Sequence, residues 1–320
     1  MRQFIKHTLC SLMFLSGLLL LLFLSSQVVI PKSNTKESGI LEPRANGFLG
    51  EPDHTIDVLI LGDSESFNSF VPLKMWKDCG ITAYICGTPK QKLFYTEEFL
   101  HAFFEKQAPK IVILETNAIF REFSYSEIIQ NAAEQVLPVF RYHDRWKSLH
   151  MDDLSFSSRY IPTEISKGYL YSTQTVGASA ENHMEPSDGF APISSKNRAY
   201  IQSILSFCQN NGSSLLLVST PSTKNWNCKR HNSIVKLANQ LEIPYLDMNT
   251  LQKEIPINWE RDTRDKGDHL NFRGAAKATS YLEQYLWKTG LLTDHRGDAR
   301  FDGWESALLE FNKISDNALV

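Results

Sequence analysis

Solid apolar runs alternate with helically spaced ones along most of this chain. Asp57-Val58-Leu59-Ile60-Leu61 is short, apolar on both faces, and stops at Gly62. Ile81 to Cys86, Lys110 to Leu114, Leu215 to Val218 and Pro244 to Leu246 repeat that form. Strands without a polar face belong to parallel sheets covered by helices on both sides. Between them, Lys92 to Gln107 sets Leu93, Phe99, Leu100, Phe103 and Phe104 at helical spacing. Asn197 to Asn210, His231 to Gln240 and Gly274 to Trp287 read as further helices, with Asn211-Gly212 as a stop. This alternation predicts an α/β fold, a three-layer doubly wound parallel sheet, over residues 55–320. It fails from Pro138 to Ser194, which predicts a loop-rich insertion or lid over residues 138–194. The tail from Asp294 to Trp304 predicts ordered but irregular packing.

The N-terminus follows a different pattern. Arg2, Lys6 and His7 precede an apolar run from about Thr8 to Ile30. At about 1.5 Å per residue such a run spans a hydrocarbon core of about 30 Å. Its only flanking charges lie on the N-terminal side, so the positive-inside rule puts the remainder outside the cell. A cleaved signal peptide competes with this reading, but Leu24-Ser25-Ser26-Gln27 is a poor cleavage site and no Cys follows to take a lipid. Residues 1–30 therefore predict an uncleaved membrane anchor, and residues 31–54, rich in Ser, Asn, Pro and charge, a linker.

Composition narrows the function classes. Without Arg2 and Lys6, 31 bases face 36 acids, a mildly acidic balance that argues against nucleic acid as a partner. Of the five cysteines, Cys10 lies in the apolar run, leaving Cys79, Cys86, Cys208 and Cys228. None forms a CxxC pair and no His stands at a metal-ligand interval, so no metal and no cofactor are expected. Buried free thiols are the expectation for these four.

The sharpest candidate chemistry is Gly62-Asp63-Ser64, directly after the first strand. Ligands of open parallel sheets bind beyond the carboxyl ends of the strands. A Ser there is exposed beside a helix start, although a helix-capping Ser would look the same. A distant partner strengthens the catalytic reading: Asp265-Lys-Gly-Asp268-His269-Leu-Asn-Phe-Arg-Gly274, just before the final helix. A serine nucleophile needs a base, and that base needs a carboxylate to fix its tautomer. Arg121 and Glu122 suit either a cleft wall or an exposed helix start. Tyr142-His143-Asp144-Arg145-Trp146 mixes rings and donors that could bind a sugar, with His143, Arg145 and Trp146 as candidates; packing of a lid is the alternative.

These blocks, in this order, resemble the SGNH (GDSL-type) hydrolase superfamily across most of Asp57 to Lys288. The resemblance implies a flavodoxin-like sheet, Ser64 as nucleophile, His269 as base, and the Asn117 side chain in Glu115-Thr-Asn117 as an oxyanion donor. Two departures stand out. Aligning Tyr84-Ile-Cys86-Gly87-Thr-Pro-Lys90-Gln91 with the second block puts Lys90 where the family has a glycine N–H donor. Lys90 can serve only if its backbone adopts the needed dihedrals. The family's Asp-x-x-His spacing lands on Lys266, leaving Asp265 and Asp268 as candidate acids. Asp265 is favoured because adjacent side chains in an extended loop point apart; Asp268 would then cap the final helix or bond nearby backbone.

An anchored, outward-facing member of such a family implies a serine esterase or O-acyltransferase acting on acylated carbohydrate or a small ester. The resemblance extends to proteins that modify cell-wall polysaccharides, including one assisting D-alanylation of lipoteichoic acid. The rival expectations are a non-catalytic assembly partner of a membrane acyltransferase, and a lipase or lysophospholipase.

Overall fold

The computed structural model describes residues 1–155, 157–316 and 319. Phe156, Asn317, Ala318 and Val320, which the expected insertion and domain ranges include, lie outside the described residues. The chain divides into two compact units, residues 1–41 with 123–161, and residues 42–122 with 162–320. The expected insertion is thereby split, since 138–161 belong to the first unit and 162–194 to the second.

In the larger unit five parallel strands form one sheet: β1 (Val58–Gly62), β2 (Ala83–Gly87), β3 (Ile111–Glu115), β4 (Ser214–Ser219) and β5 (Tyr245–Asp247), in the order β2-β1-β3-β4-β5. Every residue of β1, β2 and β3 is buried, which is why their sequences carry no polar face. The chain leaves β1 for β2 on one side and returns to β3 on the other. The order therefore reverses beside β1, where open α/β sheets hold their ligands.

Helices connect the strands: α2 (Ser64–Ser69) and α3 (Pro72–Cys79) after β1, α4 (Leu93–Phe104) after β2, α6 (Ser195–Asn210) before β4, α7 (Cys228–Leu241) before β5, then α8 (Phe272–Trp287) and α9 (Asp302–Ile314). The last corrects the irregular tail. Trp304, Ala307, Leu308 and Phe311 form a buried stripe on α9, and Trp304 packs 5.9 Å from Trp76 of α3.

The smaller unit holds α1 (Arg2–Val29) and α5 (Tyr125–Val136). Helix α1 is long and apolar enough to cross a membrane. Its last turn is built into the unit: Ser26 Oγ accepts from the Val139 N–H at 3.1 Å. The Arg145 guanidinium donates to the Val29 carbonyl and, at 2.6 Å, to Asp153.

The expected linker, residues 31–54, is folded rather than loose. Asn34 exchanges hydrogen bonds with the backbone of Ile161 within the smaller unit. Residues 45–50 form a 3-10 turn in the larger unit, whose Phe48 is fully buried between Tyr84 and Phe103. Burying a Phe side chain, a gain of about 2–3 kcal/mol, explains why so polar a segment is held.

Candidate active site

Helix α2 begins at the carboxyl end of β1 because Asp63 caps it, its Oδ1 accepting from the Glu65 N–H at 3.0 Å. That leaves the Ser64 hydroxyl with no capping duty. Gly62 permits the corner, since a Cβ there would come within 2.6 Å of the Glu115 Cβ.

Ser64 Oγ lies 2.8 Å from His269 Nε2, and His269 Nδ1 lies 2.6 Å from Asp265 Oδ2. The other oxygen of Asp265 accepts from the His269 backbone N–H at 2.6 Å. An acid four residues away reaches the ring because Lys266 and Gly267 both take left-handed dihedrals, φ 62° and 84°. Ser222 Oγ holds the turn from outside, donating to the carbonyls of Gly267 and Asp268. Partial burial works against ionisation of Asp265, but the bonds from His269 outweigh it and hold the carboxyl below its usual range. An ionised carboxylate only accepts, so Nδ1 carries a ring hydrogen, and in the neutral imidazole Nε2 is then the bare nitrogen toward Ser64. Asp268 points elsewhere. Its Oδ1 accepts from Asn225 Nδ2, and Asn271, not Asp268, caps α8.

Lys90 lies in the turn after β2, and its φ of 55° is the left-handed conformation that the family's glycine would take freely. The turn is pinned by buried Gln91, which accepts from the Thr88 N–H and donates to Thr96. Among the described residues, the backbone N–H groups of Ser64 and Lys90 have no acceptor. Asn117 follows β3 and is buried; its Nδ2 donates to Asp63 Oδ2 at 2.9 Å and its Oδ1 accepts from Arg230 at 2.6 Å. Ser64, Lys90 and Asn117 thus leave the carboxyl ends of three adjacent strands, β1, β2 and β3.

Beneath them sits a charged layer that the sequence did not reveal. Arg121 is no exposed helix start: its Nε and an Nη donate to Asp63 Oδ2 at 2.8 and 2.6 Å. Glu65 is buried and accepts from Asn225 at 2.6 Å. Burial, with Asp63 beside it, pushes the Glu65 carboxyl well above the usual range. Burial, Asp63 and Glu65 do the same to Glu115, whose Oε1 accepts the Asn117 N–H. Burial thus favours the protonated form of both acids, while Asp63 is the carboxylate that the Arg121 guanidinium binds directly. No local signal singles out Asn225 or Arg230, since the site residues they hold, Glu65, Asp268 and Asn117, lie far away in sequence.

The expected sugar-binding trio falls in the smaller unit. Arg145 is buried and its two Nη nitrogens donate to Val29 and Asp153, so its guanidinium is a structural tie rather than an exposed donor for sugar. His143 and Trp146 are exposed. Among the described residues, Glu65, Asp268 and His269 form a cluster with metal-ligand spacing, but the His269 ring is engaged by Ser64 and Asp265.

No family model matches the chain, and no curated protein matches it. Solved structures do. A GDSL-like lipase from Bacteroides thetaiotaomicron is 12% identical, over 79% of this chain and 95% of that one, with a TM-score of 0.34. A lipase/acylhydrolase from Enterococcus faecalis is 9% identical over 73% and 97%, with a TM-score of 0.40. The acetyl xylan esterase AlAXEase is 13% identical over 72% and 98%, with a TM-score of 0.37. Likenesses of this strength carry no functional argument; the chemistry stands on the side chains themselves. With its parallel α/β sheet and its Gly-Asp-Ser corner, the chain is similar to GDSL-type (SGNH) acylhydrolases, lipases and acetyl xylan esterases.

Proposed function

We propose that this protein is a membrane-anchored serine ester hydrolase or O-acyltransferase acting on acylated carbohydrate outside the cell. The observation that carries the reading is the continuous chain Ser64 Oγ, His269 Nε2, His269 Nδ1, Asp265 Oδ2, with steps of 2.8 and 2.6 Å at the sheet's switch point.

In the mechanism, bare Nε2 of His269 takes the Ser64 proton as Oγ attacks the ester carbonyl. Asp265 keeps the ring oriented and stabilises the imidazolium that forms. The Ser64 and Lys90 N–H groups and Asn117 Nδ2 hold the developing oxyanion; one such donor is worth about 3 kcal/mol in the transition state. His269 returns the proton to the departing alkoxide, leaving an acyl group on Ser64. Water, or an acceptor hydroxyl deprotonated by the same ring, then attacks the acyl-enzyme and frees Ser64.

The substrate class is supported by the resemblance of the sequence blocks, and the extracytoplasmic side by Arg2 and Lys6 ahead of α1. The glycine-like dihedral of Lys90 and the reach of Asp265 to the ring favour this reading over that of a non-catalytic assembly partner. Hydrolysis of acetylated sugars and oligosaccharides by the full chain, lost in Ser64→Ala, tests the activity. Protease added to cells stripped of their wall tests the side: digestion of residues 57–320 supports it, and protection overturns it.

A further inference from the structure

Asn117 is held from both ends by groups of opposite character. Arg230 can only donate, and one of its Nη nitrogens lies 2.6 Å from Asn117 Oδ1. Asp63 Oδ2 already accepts two N–H bonds from the Arg121 guanidinium, and this accepting oxygen lies 2.9 Å from Asn117 Nδ2. The two ends of an amide have nearly the same shape and differ only in hydrogen bonding. Turned over, Asn117 would set N–H against guanidinium N–H and carbonyl against carboxylate. Only one orientation satisfies both neighbours, and it leaves the second Nδ2 hydrogen unspent.

Arg230 is itself fixed. The same Nη donates to the Asn225 carbonyl, and the guanidinium lies over the Phe120 ring at 4.7 Å. Asn225 in turn donates to Glu65 and to Asp268, beside the catalytic His269. A cation on the amide oxygen also draws electron density from the nitrogen, which strengthens its N–H as a donor.

We propose that Arg230 is a positioning residue for the oxyanion hole, locking and polarising Asn117 so that Nδ2 faces the reacting carbonyl. The inference rests on the serine-nucleophile reading above and adds a role on α7, an element with no other part in the chemistry. Arg230 touches no substrate in this role; it acts wholly through Asn117.

A double-mutant cycle on the full chain tests it, reading kcat and KM on an acetylated sugar and the rate of Ser64 phosphonylation by a fluorophosphonate. Arg230→Met should lower kcat and the labelling rate about tenfold to a hundredfold, less than or equal to loss of a whole oxyanion donor. KM should stay within about threefold, since the interaction strengthens only in the transition state. Arg230→Lys, keeping charge with poorer geometry, should recover part of the loss. In an Asn117→Ala background Arg230→Met should cost less than about threefold, because the group it acts through is gone. The same loss in both backgrounds, or an unchanged kcat in the single variant, overturns the proposal while leaving Ser64 as nucleophile. An unlabelled wild type overturns both. Should Arg230→Met fail to fold, the cycle runs with Arg230→Lys, and the same loss with and without Asn117 overturns the proposal.

Discussion

Asp265 Oδ2 stands 2.6 Å from His269 Nδ1 although four residues separate them along the chain. The left-handed pair Lys266 and Gly267 folds the loop back on itself, and a Cβ at Gly267 would collide with Thr223 Oγ1. Asp268, next to the His in sequence, is turned away toward Asn225. Asp265→Asn should therefore lower turnover at least about a hundredfold, as loss of a triad carboxylate does. Asp268→Asn should stay within about tenfold in turnover and cost about 1 kcal/mol for a weakened hydrogen bond. Steady-state kinetics and melting curves of both variants check this. A large turnover loss confined to Asp268→Asn reverses the assignment.

Lys90 occupies a dihedral region that costs most residues about 1–2 kcal/mol, and its proposed contribution is a backbone N–H. Lys90→Gly should keep turnover within about threefold and raise the melting temperature slightly. A β-branched replacement, Lys90→Val, should lower both, because φ near 55° strains the turn that aims the donor. Loss of turnover in Lys90→Gly would assign the function to the ammonium group instead.

How far the sequence reveals this molecule depends on the range of the interaction. The strands are legible because full burial on both faces leaves unbroken runs such as Val58 to Leu61. Ser64 and His269 stand out because each occupies a corner marked by its own neighbours. The folded state of residues 45–50 is not legible, since one Phe48 among polar residues meets Tyr84 and Phe103 only in three dimensions. Arg230 is hidden for the same reason, lying 113 residues from Asn117. Helix α9 is a different failure: Trp304, Leu308 and Phe311 keep helical spacing, but the charged, Gly-containing approach from Asp294 masks its start.

Three buried acids predict how stability varies with pH. Burial raises Glu283, beside Lys74 and Asp78, to about 7, and Glu65 and Glu115 are also raised. A carboxyl raised on folding holds its proton more tightly in the native state. Its contribution is complete below the ordinary value near 4.5 and is lost as pH climbs through the raised one. Stability should fall from about pH 4.5 to 7 through Glu283, and Glu65 and Glu115, raised in the same direction, should add to the fall as pH rises. Glu283→Gln should flatten the first part of that slope in urea denaturation followed across pH. An unchanged slope would contradict the assignment.

Arg145, which ties this part of the insertion to the Val29 carbonyl at the end of α1, is paired with Asp153, both side chains being only 8% exposed. Asp153→Ala leaves a buried guanidinium without its partner, a loss of about 3–5 kcal/mol for such pairs. Limited proteolysis should then cut between residues 123 and 161 in the variant and spare the wild type. Equal resistance would show that the pair does not hold the unit.

The central claim is that Ser64 is a nucleophile activated by His269 across 2.8 Å. Incubating the full chain with a fluorophosphonate and locating the adduct by peptide mass spectrometry tests it without knowledge of the substrate. A single adduct on Ser64, absent from Ser64→Ala and slowed by His269→Ala, is the predicted result. An unlabelled wild type, or an adduct that persists in Ser64→Ala, contradicts it.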